Sequence, residues 1–341
     1  MANLLITGGA GYIGSHTCLV LLEAGHRLVV LDNFANSSPE SLKRVQELAG
    51  ARVEGRLRVI EGDLRSAADL ELAFGAGPFD AVIHFAGLKS VAESVADPLR
   101  YWDGNLVASH RLVAAMAAHG CRCLVFSSTA AIYGYPEALP IGETAKLQPI
   151  NPYGHTKAAV EQLLADVCAG EPGWRVACLR YFNAVGAHPS GRIGEAPQEI
   201  PSNLFPYLVQ VAAGLRSHLQ VYGSNWPTSD GTAVRDYIHV MDLAEAHRAA
   251  VEVLLREVPQ RLILNLGTGE GHSVLEVIQA FETTTGQVVP YKLIDRRPGD
   301  CAISVADASL ATQHLGWRPQ HSLRGICRDC WSWQQANPHG Y

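Results

Sequence analysis

Tyr153-Gly154-His155-Thr156-Lys157 sets a phenol and an ammonium four residues apart. On a helix that spacing puts both groups on one face, and Pro152 suits the first turn of such a helix. A nearby ammonium favours phenolate over phenol and pulls a tyrosine pKa down from about 10, so Tyr153 reads as a general base with Lys157 as its partner. Ser127-Ser128-Thr129 follows the apolar run Arg122–Phe126. Those hydroxyls emerge at the carboxyl end of a strand, where open parallel sheets bind ligands.

A second constellation lies near the start. Thr7-Gly8-Gly9-Ala10-Gly11-Tyr12-Ile13-Gly14 follows an apolar run and opens a helical pattern. Gly8, Gly11 and Gly14 permit a tight turn and close approach of the backbone to a pyrophosphate, which the helix N-terminus then attracts. Asp32 ends the next apolar run, 18 residues after Gly14. A carboxylate there accepts hydrogen bonds from an adenosine ribose and repels a 2′-phosphate, which selects NAD over NADP. Asn33, Asn36 and Ser37 add polar contacts, and Asp63-Leu64, after the third run, is placed to bracket adenine.

These groups need a frame. Strands are expected at Asn3–Thr7, Arg27–Leu31, Leu57–Ile60, Ala81–His84, Arg122–Phe126 and Val176–Arg180. Helical patterns at Ile13–Glu23, Pro98–His119 and Gly154–Ala169 fall among them. Repeated strand–helix–strand units give a doubly wound parallel sheet of the Rossmann kind, and the near-continuous apolar strands suit a sheet covered on both faces. After about residue 182 the pattern changes. Residues 183–203 are rich in Gly, Pro, Asn and Glu and read as a binding loop or linker. Helices at Met241–Arg256, Ser273–Thr285 and Leu323–Trp333 and a strand at Leu262–Leu266 follow. The expected organisation is a dinucleotide-binding domain over 1–182, with return segments near 236–266, and a smaller mixed α/β substrate lobe over 183–341.

Composition narrows the class. Over 341 residues, 48% are hydrophobic and 18% charged, so the bulk of the chain folds. A net charge of −6 argues against nucleic acid or an anionic membrane as partner. No apolar run approaches the roughly 18–20 residues of a spanning helix, and the N-terminus lacks a signal-peptide pattern; a cytoplasmic protein is expected. Of the eight cysteines, Cys327 and Cys330 form a lone C-x-x-C without a second pair. No metal site is expected.

Taken in order, the glycine turn, strand-end hydroxyl and Tyr/Lys helix resemble the extended short-chain dehydrogenase/reductase family, and within it the branch that inverts C4 of UDP-hexoses. The matching stretches are Thr7–His16, Val82–Lys89, Phe126–Gly134, Asn151–Lys157, Leu179–Gly191, Gly231–Leu243 and Trp331–Tyr341. The resemblance implies NAD contacts from Tyr12, Ile13, Phe85, Ala86, Gly87, Lys89, Asn105 and Phe182, with Asp32 to Ser37 on the ribose and Asp63 and Leu64 flanking adenine. It implies Tyr153 as base, Lys157 on the nicotinamide ribose and Thr129 on the reacting hydroxyl. UDP-sugar contacts fall to Lys89, Thr129, Tyr153, Tyr181, Asn183, Asn203, Leu204, Tyr222, Arg235, Arg297 and Asp300. Arg235 and Arg297 have the forked donors a diphosphate requires. The implied reaction exchanges UDP-glucose and UDP-galactose through a 4-keto sugar. Alternatives are a 4,6-dehydratase, a UDP-glucuronate decarboxylase and a non-catalytic NAD sensor. Dehydratase relatives carry Asp-Glu after the strand-end Thr, where this chain has Ala130-Ala131. Ser304 stands where many bacterial relatives carry Tyr, which implies room for N-acetylated hexoses. A homodimer is expected, packed through Pro98–His119 and Asn151–Ala169.

Overall fold

The apolar runs align as a seven-stranded, all-parallel sheet in the computed structural model, which describes residues 1–197, 201, 203–256, 258–297 and 299–341. Part of the irregular stretch over 183–203 (residues 198–200 and 202) therefore lies outside the described residues, as does Pro298 beside Arg297. In chain order the strands are β1 (Asn3–Thr7), β2 (Arg27–Asp32), β3 (Leu57–Glu61), β4 (Ala81–His84), β5 (Cys123–Thr129), β6 (Arg175–Tyr181), β7 (Asn183–Val185), β8 (Leu219–Tyr222), β9 (Val234–His239), β10 (Gln260–Leu266), β11 (Gly271–Ser273), β12 (Tyr291–Ile294) and β13 (Ile303–Ser304). The sheet runs β10-β6-β5-β4-β1-β2-β3. Chain order reverses between β1 and β4, which opens a crevice at the carboxyl ends of those strands.

Alternation along each strand feeds two cores. Leu4, Ile6, Val30 and Ile83 pack on one face with Leu19 and Leu22 of helix Tyr12–Glu23 and Leu243 and Val251 of helix Val240–Arg256. Leu5, Val29, Val82 and Phe126 pack on the other with Leu112 and Met116, and with Val160 and Leu164 of helix Pro152–Gly170. Helices on both faces are what a doubly wound sheet requires. Helix Pro98–His119, expected as one piece, runs as one but widens to a π turn over Trp102–Val107.

The run at Leu262–Leu266, within the return segments near 236–266, belongs to the main sheet: β10 pairs along β6 from Gln260↔Arg175 to Leu266↔Tyr181 and forms its edge. A short apolar run does not announce its partner, and this one finds an unpaired edge. One expectation needs correction: the hydroxyls of Ser127, Ser128 and Thr129 lie within β5 rather than beyond it.

The remaining strands form smaller sheets. β9 pairs with β11, β13 and β7, and β12 with β8. Phe205, Leu208, Val221, Val277, Phe281 and Ile326 make a third core, together with Cys327 and Cys330. Burial pushes the thiols of both cysteines up, Cys327 to about 12, as for small packed apolar groups. All eight cysteines are free.

Candidate active site

The glycine turn is forced to be glycine by its neighbours. Gly8 has φ +71, and a Cβ there would lie 2.5 Å from the Ala86 nitrogen. A Cβ on Gly14 would lie 2.4 Å from the Gly8 carbonyl oxygen. Thr7 O accepts from the amides of Phe85 (2.9 Å) and Ala86 (3.0 Å), so the turn after β1 and the loop after β4 meet at the switch point. Asp32 Oδ2 accepts from the Ala10 amide (2.9 Å), and Oδ1 from the Phe34 amide (3.0 Å) and the Ser37 hydroxyl (2.8 Å). The carboxylate that ends β2 thus shapes the turn and the ribose-side loop together. Asp63 accepts from Asn33 Nδ2 (3.0 Å) and from the Arg65 guanidinium, whose hydrogen bonds hold its carboxyl well below the usual range. This cradle, with a bare helix N-terminus at Gly11 and no room for side chains behind it, fits a dinucleotide pyrophosphate.

Tyr153 and Lys157 sit in the first two turns of helix Pro152–Gly170, started by Asn151, whose Oδ1 accepts from the Gly154 amide (2.9 Å). Period-two alternation sorts the hydroxyls of β5. Ser127 and Thr129 line the cleft, whereas Ser128 points away and donates to buried Glu161. The electrostatics differ from the expected phenolate. Burial raises the Tyr153 pKa, opposed by a hydrogen bond with Thr129. Burial also holds Lys157 down, to about 8, partly offset by Glu161. The reason is geometric: Lys157 Nζ donates to the Ser127 carbonyl (2.9 Å) and lies 4.9 Å from the Phe126 ring centroid. The lysine is thus held against β5, and burial outweighs its expected effect on the phenol.

On the far wall, Arg235 NH2 is 3.8 Å and Arg297 NH2 3.2 Å from Asp300 Oδ1, and the Arg297 guanidinium lies over Tyr222 at 5.3 Å. The two cations expected to meet a diphosphate are gathered by one carboxylate. Ser304 is the register partner of Arg235 across β13 and β9. Lys89 Nζ reaches Glu195 Oε1 at 2.7 Å.

One cleft of about 1800 Å³ collects these walls. It is lined by Gly8, Gly11, Tyr12, Ile13, Gly14, Asp32, Asn33, Asn36, Ser37, Asp63, Leu64, Phe85, Ala86, Gly87, Lys89, Thr129, Tyr153, Lys157, Tyr181, Phe182, Asn183, Asn203, Leu204, Tyr222, Arg235, Arg297, Asp300 and Ser304. A typical ligand pocket is about 300–1,000 Å³, so this cleft has room for two ligands side by side. Asn105 alone of the expected set stands behind the wall. Its Oδ1 accepts from the Leu88 amide (2.7 Å) and its Nδ2 donates to Leu88 O and to Thr156 Oγ1 (3.0 Å), so it ties the loop after β4 to the Tyr153 helix.

Comparison with known proteins decides the family. The model of the NAD dependent epimerase/dehydratase family matches residues 4–267. The chain belongs to that family. It is 51% identical to the UDP-glucose 4-epimerase of Bacillus subtilis (strain 168) over 338 residues, covering 99% of this chain and 98% of the relative. It is 51% identical to UDP-glucose 4-epimerase 3 of Oryza sativa subsp. japonica over 341 residues, covering 100% and 91%. The UDP-glucose-4-epimerase of Stenotrophomonas maltophila, solved with bound NAD and formylated UDP-arabinopyranose, superposes with a TM-score of 0.95 at 49% identity, covering 99% of each chain. That of Bifidobacterium longum, in complex with NAD+ and UDP, does so with a TM-score of 0.95 at 45% identity, covering 99% and 100%. The resemblance to the extended short-chain dehydrogenase/reductases is borne out.

For this epimerase/dehydratase family member, sequence reading left out Glu195, Arg65 and His247. Glu195 lines the cleft from within the stretch read only as a binding loop. Arg65 stands two residues after Asp63 and bonds its carboxylate, a local pairing on a half-exposed rim that residue type alone does not mark as part of a site. His247 is fully buried behind the cleft wall, its ring 4.7 Å from Phe85 and 5.5 Å from Tyr181. Its helix spacing reads simply as core. Among the described residues, no group of three or more His, Cys, Asp or Glu side chains is arranged to hold a metal ion, and no helix is long and apolar enough to cross a membrane.

Proposed function

We propose that the protein is a UDP-glucose 4-epimerase that uses NAD and interconverts UDP-glucose and UDP-galactose. The observation that carries this reading is the single cleft in which the glycine cradle, the Thr129–Tyr153–Lys157 cluster and the Arg235–Arg297 pair share one space. NAD, when bound, supplies the acceptor and donor for the C4 hydride. Gly8, Gly11, Gly14, Tyr12 and Ile13 hold its pyrophosphate, and Asp32 and Asp63 face its adenosine end. Lys157 takes the nicotinamide ribose. Tyr153 removes the proton from the sugar 4-hydroxyl and returns it after inversion, with Thr129 orienting that hydroxyl. Arg235 and Arg297 exchange Asp300 for the diphosphate, so the UDP end stays clamped while the 4-keto sugar turns. Ser304 lines the cleft, and its small side chain leaves room for an N-acetyl group, so UDP-N-acetylglucosamine and its C4 epimer are substrates too.

The division into a cofactor domain over 1–182 with return segments near 236–266, and a substrate lobe over 183–341, belongs to the same reading. So do a cytoplasmic setting and a homodimer. The dimer packs through the helices at Pro98–His119 and Asn151–Ala169; the first of them leaves Leu99, Trp102 and Val107 exposed together on its length. The test is direct. Wild-type protein incubated with UDP-galactose, without added reductant, is expected to form UDP-glucose by chromatography. Tyr153→Phe is expected to retain NAD and lose turnover by about 10²–10⁴-fold. Undiminished turnover in that variant, or none in the wild type, overturns the reading.

A further inference from the structure

We propose that the segment Trp333–Tyr341 is a strap that sets how long the dinucleotide stays bound. The inference rests on the reading of the glycine cradle as the NAD site. The segment crosses from the end of helix Leu323–Ala336 to the loop at 186–197 and fastens that loop at three successive points. Asn337 Nδ2 donates to Gly191 O (2.8 Å). The Tyr341 hydroxyl accepts from the Gly194 amide and donates to the Gly194 carbonyl, both at 3.2 Å. Trp333 Nε1 donates to Glu195 O (3.1 Å). Packing reinforces the bonds: a Cβ on Gly194 would lie 2.4 Å from the Trp333 ring, so loop and indole are in direct contact.

The strap is anchored on the cofactor side of the fold. Arg44, on helix Pro39–Ala49 after β2, donates to Asn337 Oδ1 (2.6 Å) and lies 5.2 Å from the Tyr341 ring centroid. The fastened loop also closes on the glycine turn. Tyr12, at the start of the cradle helix, donates its hydroxyl to Gly186 O (2.6 Å), and Glu195 meets Lys89 from the loop after β4. Lys89 and Glu195 line the same cleft as that helix N-terminus, so a dinucleotide with its pyrophosphate there would share the space that this pair borders. Release requires the loop to lift, and the strap resists lifting. A reaction that restores NAD at every turnover needs no cofactor exchange, so slow release carries no kinetic penalty. The strap makes no hydrogen bond to Arg235, Arg297 or Asp300 among the described residues, so the UDP end is left outside its control.

Tyr341→Phe deletes the hydroxyl bonds and keeps the ring, whereas Trp333→Phe deletes the Nε1 bond and leaves a smaller aromatic ring in its place. The holoenzymes are first denatured to quantify bound NAD, then native samples are chased with excess etheno-NAD to read dissociation. Each variant is expected to lose its dinucleotide about 10-fold faster than wild type, the effect of one or two hydrogen bonds. UDP affinity is expected to stay unchanged, while the urea midpoint of the NAD-saturated enzyme falls slightly with the weaker cofactor linkage. Wild-type dissociation rates in both variants overturn the strap, as does an equal loss of UDP affinity, which marks general loosening. A wild-type protein that neither retains nor takes up NAD overturns the cofactor reading itself.

Discussion

Lys157→Met is expected to stabilise the protein at neutral pH while abolishing its activity. Lys157 is 5% exposed, and burial lowers its pKa from 10.5 to about 8. A fall of about 2.5 pH units corresponds to ~3 kcal/mol of native stability lost when the group is charged in both states. Methionine avoids that cost. It also forfeits the bond to Ser127 O and the contact with the Phe126 ring, at about 1 kcal/mol each. The variant is therefore expected to be more stable by about 1 kcal/mol at pH 7. The sign of the pH dependence follows from the lowered folded pKa. Below pH 8 both folded and unfolded chains hold the proton, and the wild type bears the full cost. Between pH 8 and 10.5 the folded chain releases the proton while the unfolded chain keeps it, so wild-type stability rises relative to the variant. By pH 9.5 the wild type regains ~2 kcal/mol, and the order of stability inverts. Urea unfolding of cofactor-stripped protein at pH 7 and 9.5, followed by circular dichroism, measures both gaps. A stability difference that does not change between these pH values contradicts a buried, depressed lysine.

Other consequences can be checked separately. Gly14→Ala places a methyl carbon 2.4 Å from the Gly8 carbonyl oxygen; overpacking of that kind costs ~1–3 kcal/mol, so NAD recovered after denaturation should fall ~10–100-fold in equilibrium terms. Equal NAD content in wild type and variant counts against the cradle. Glu161→Gln leaves the Arg180 guanidinium, 3% exposed and otherwise paired at 2.6 Å, without its carboxylate, with an expected loss of ~3–5 kcal/mol in unfolding. It also removes the charge that raises the Lys157 pKa, so any alkaline limb of the pH–rate profile set by that lysine moves to lower pH; an upward move would contradict the assignment. Ser304→Tyr is expected to cut turnover of N-acetylated relative to plain UDP-hexoses about 10-fold, the scale of ~1–3 kcal/mol for overfilling a pocket; an unchanged ratio in a mixed-substrate assay removes Ser304 as the determinant.

The first six strands, the helices at Ile13–Glu23, Pro98–His119 and Gly154–Ala169 and the glycine turn are legible along the chain. Each depends on neighbours a few residues apart: β-rich runs covered on both faces, helical spacing, and glycines where a Cβ meets backbone at Gly8 and Gly14. The same locality made Tyr153 and Lys157 recognisable as a pair on one helix face. What locality could not supply was the far partner. β10 reads as an isolated apolar run, and only the vacant edge of β6 makes it the seventh strand of the sheet. Spacing predicts an ammonium acting on the phenol; folding instead turns Lys157 toward Ser127 O and buries both groups, so desolvation governs their pKa values. Arg235 and Asp300 stand 65 positions apart in the chain and meet on one wall of the cleft at 3.8 Å. Sequence sets backbone preference and side-chain chemistry over short spans, whereas burial and long-range pairing exist only once the chain has closed on itself, and burial is what moves the pKa values of Tyr153 and Lys157.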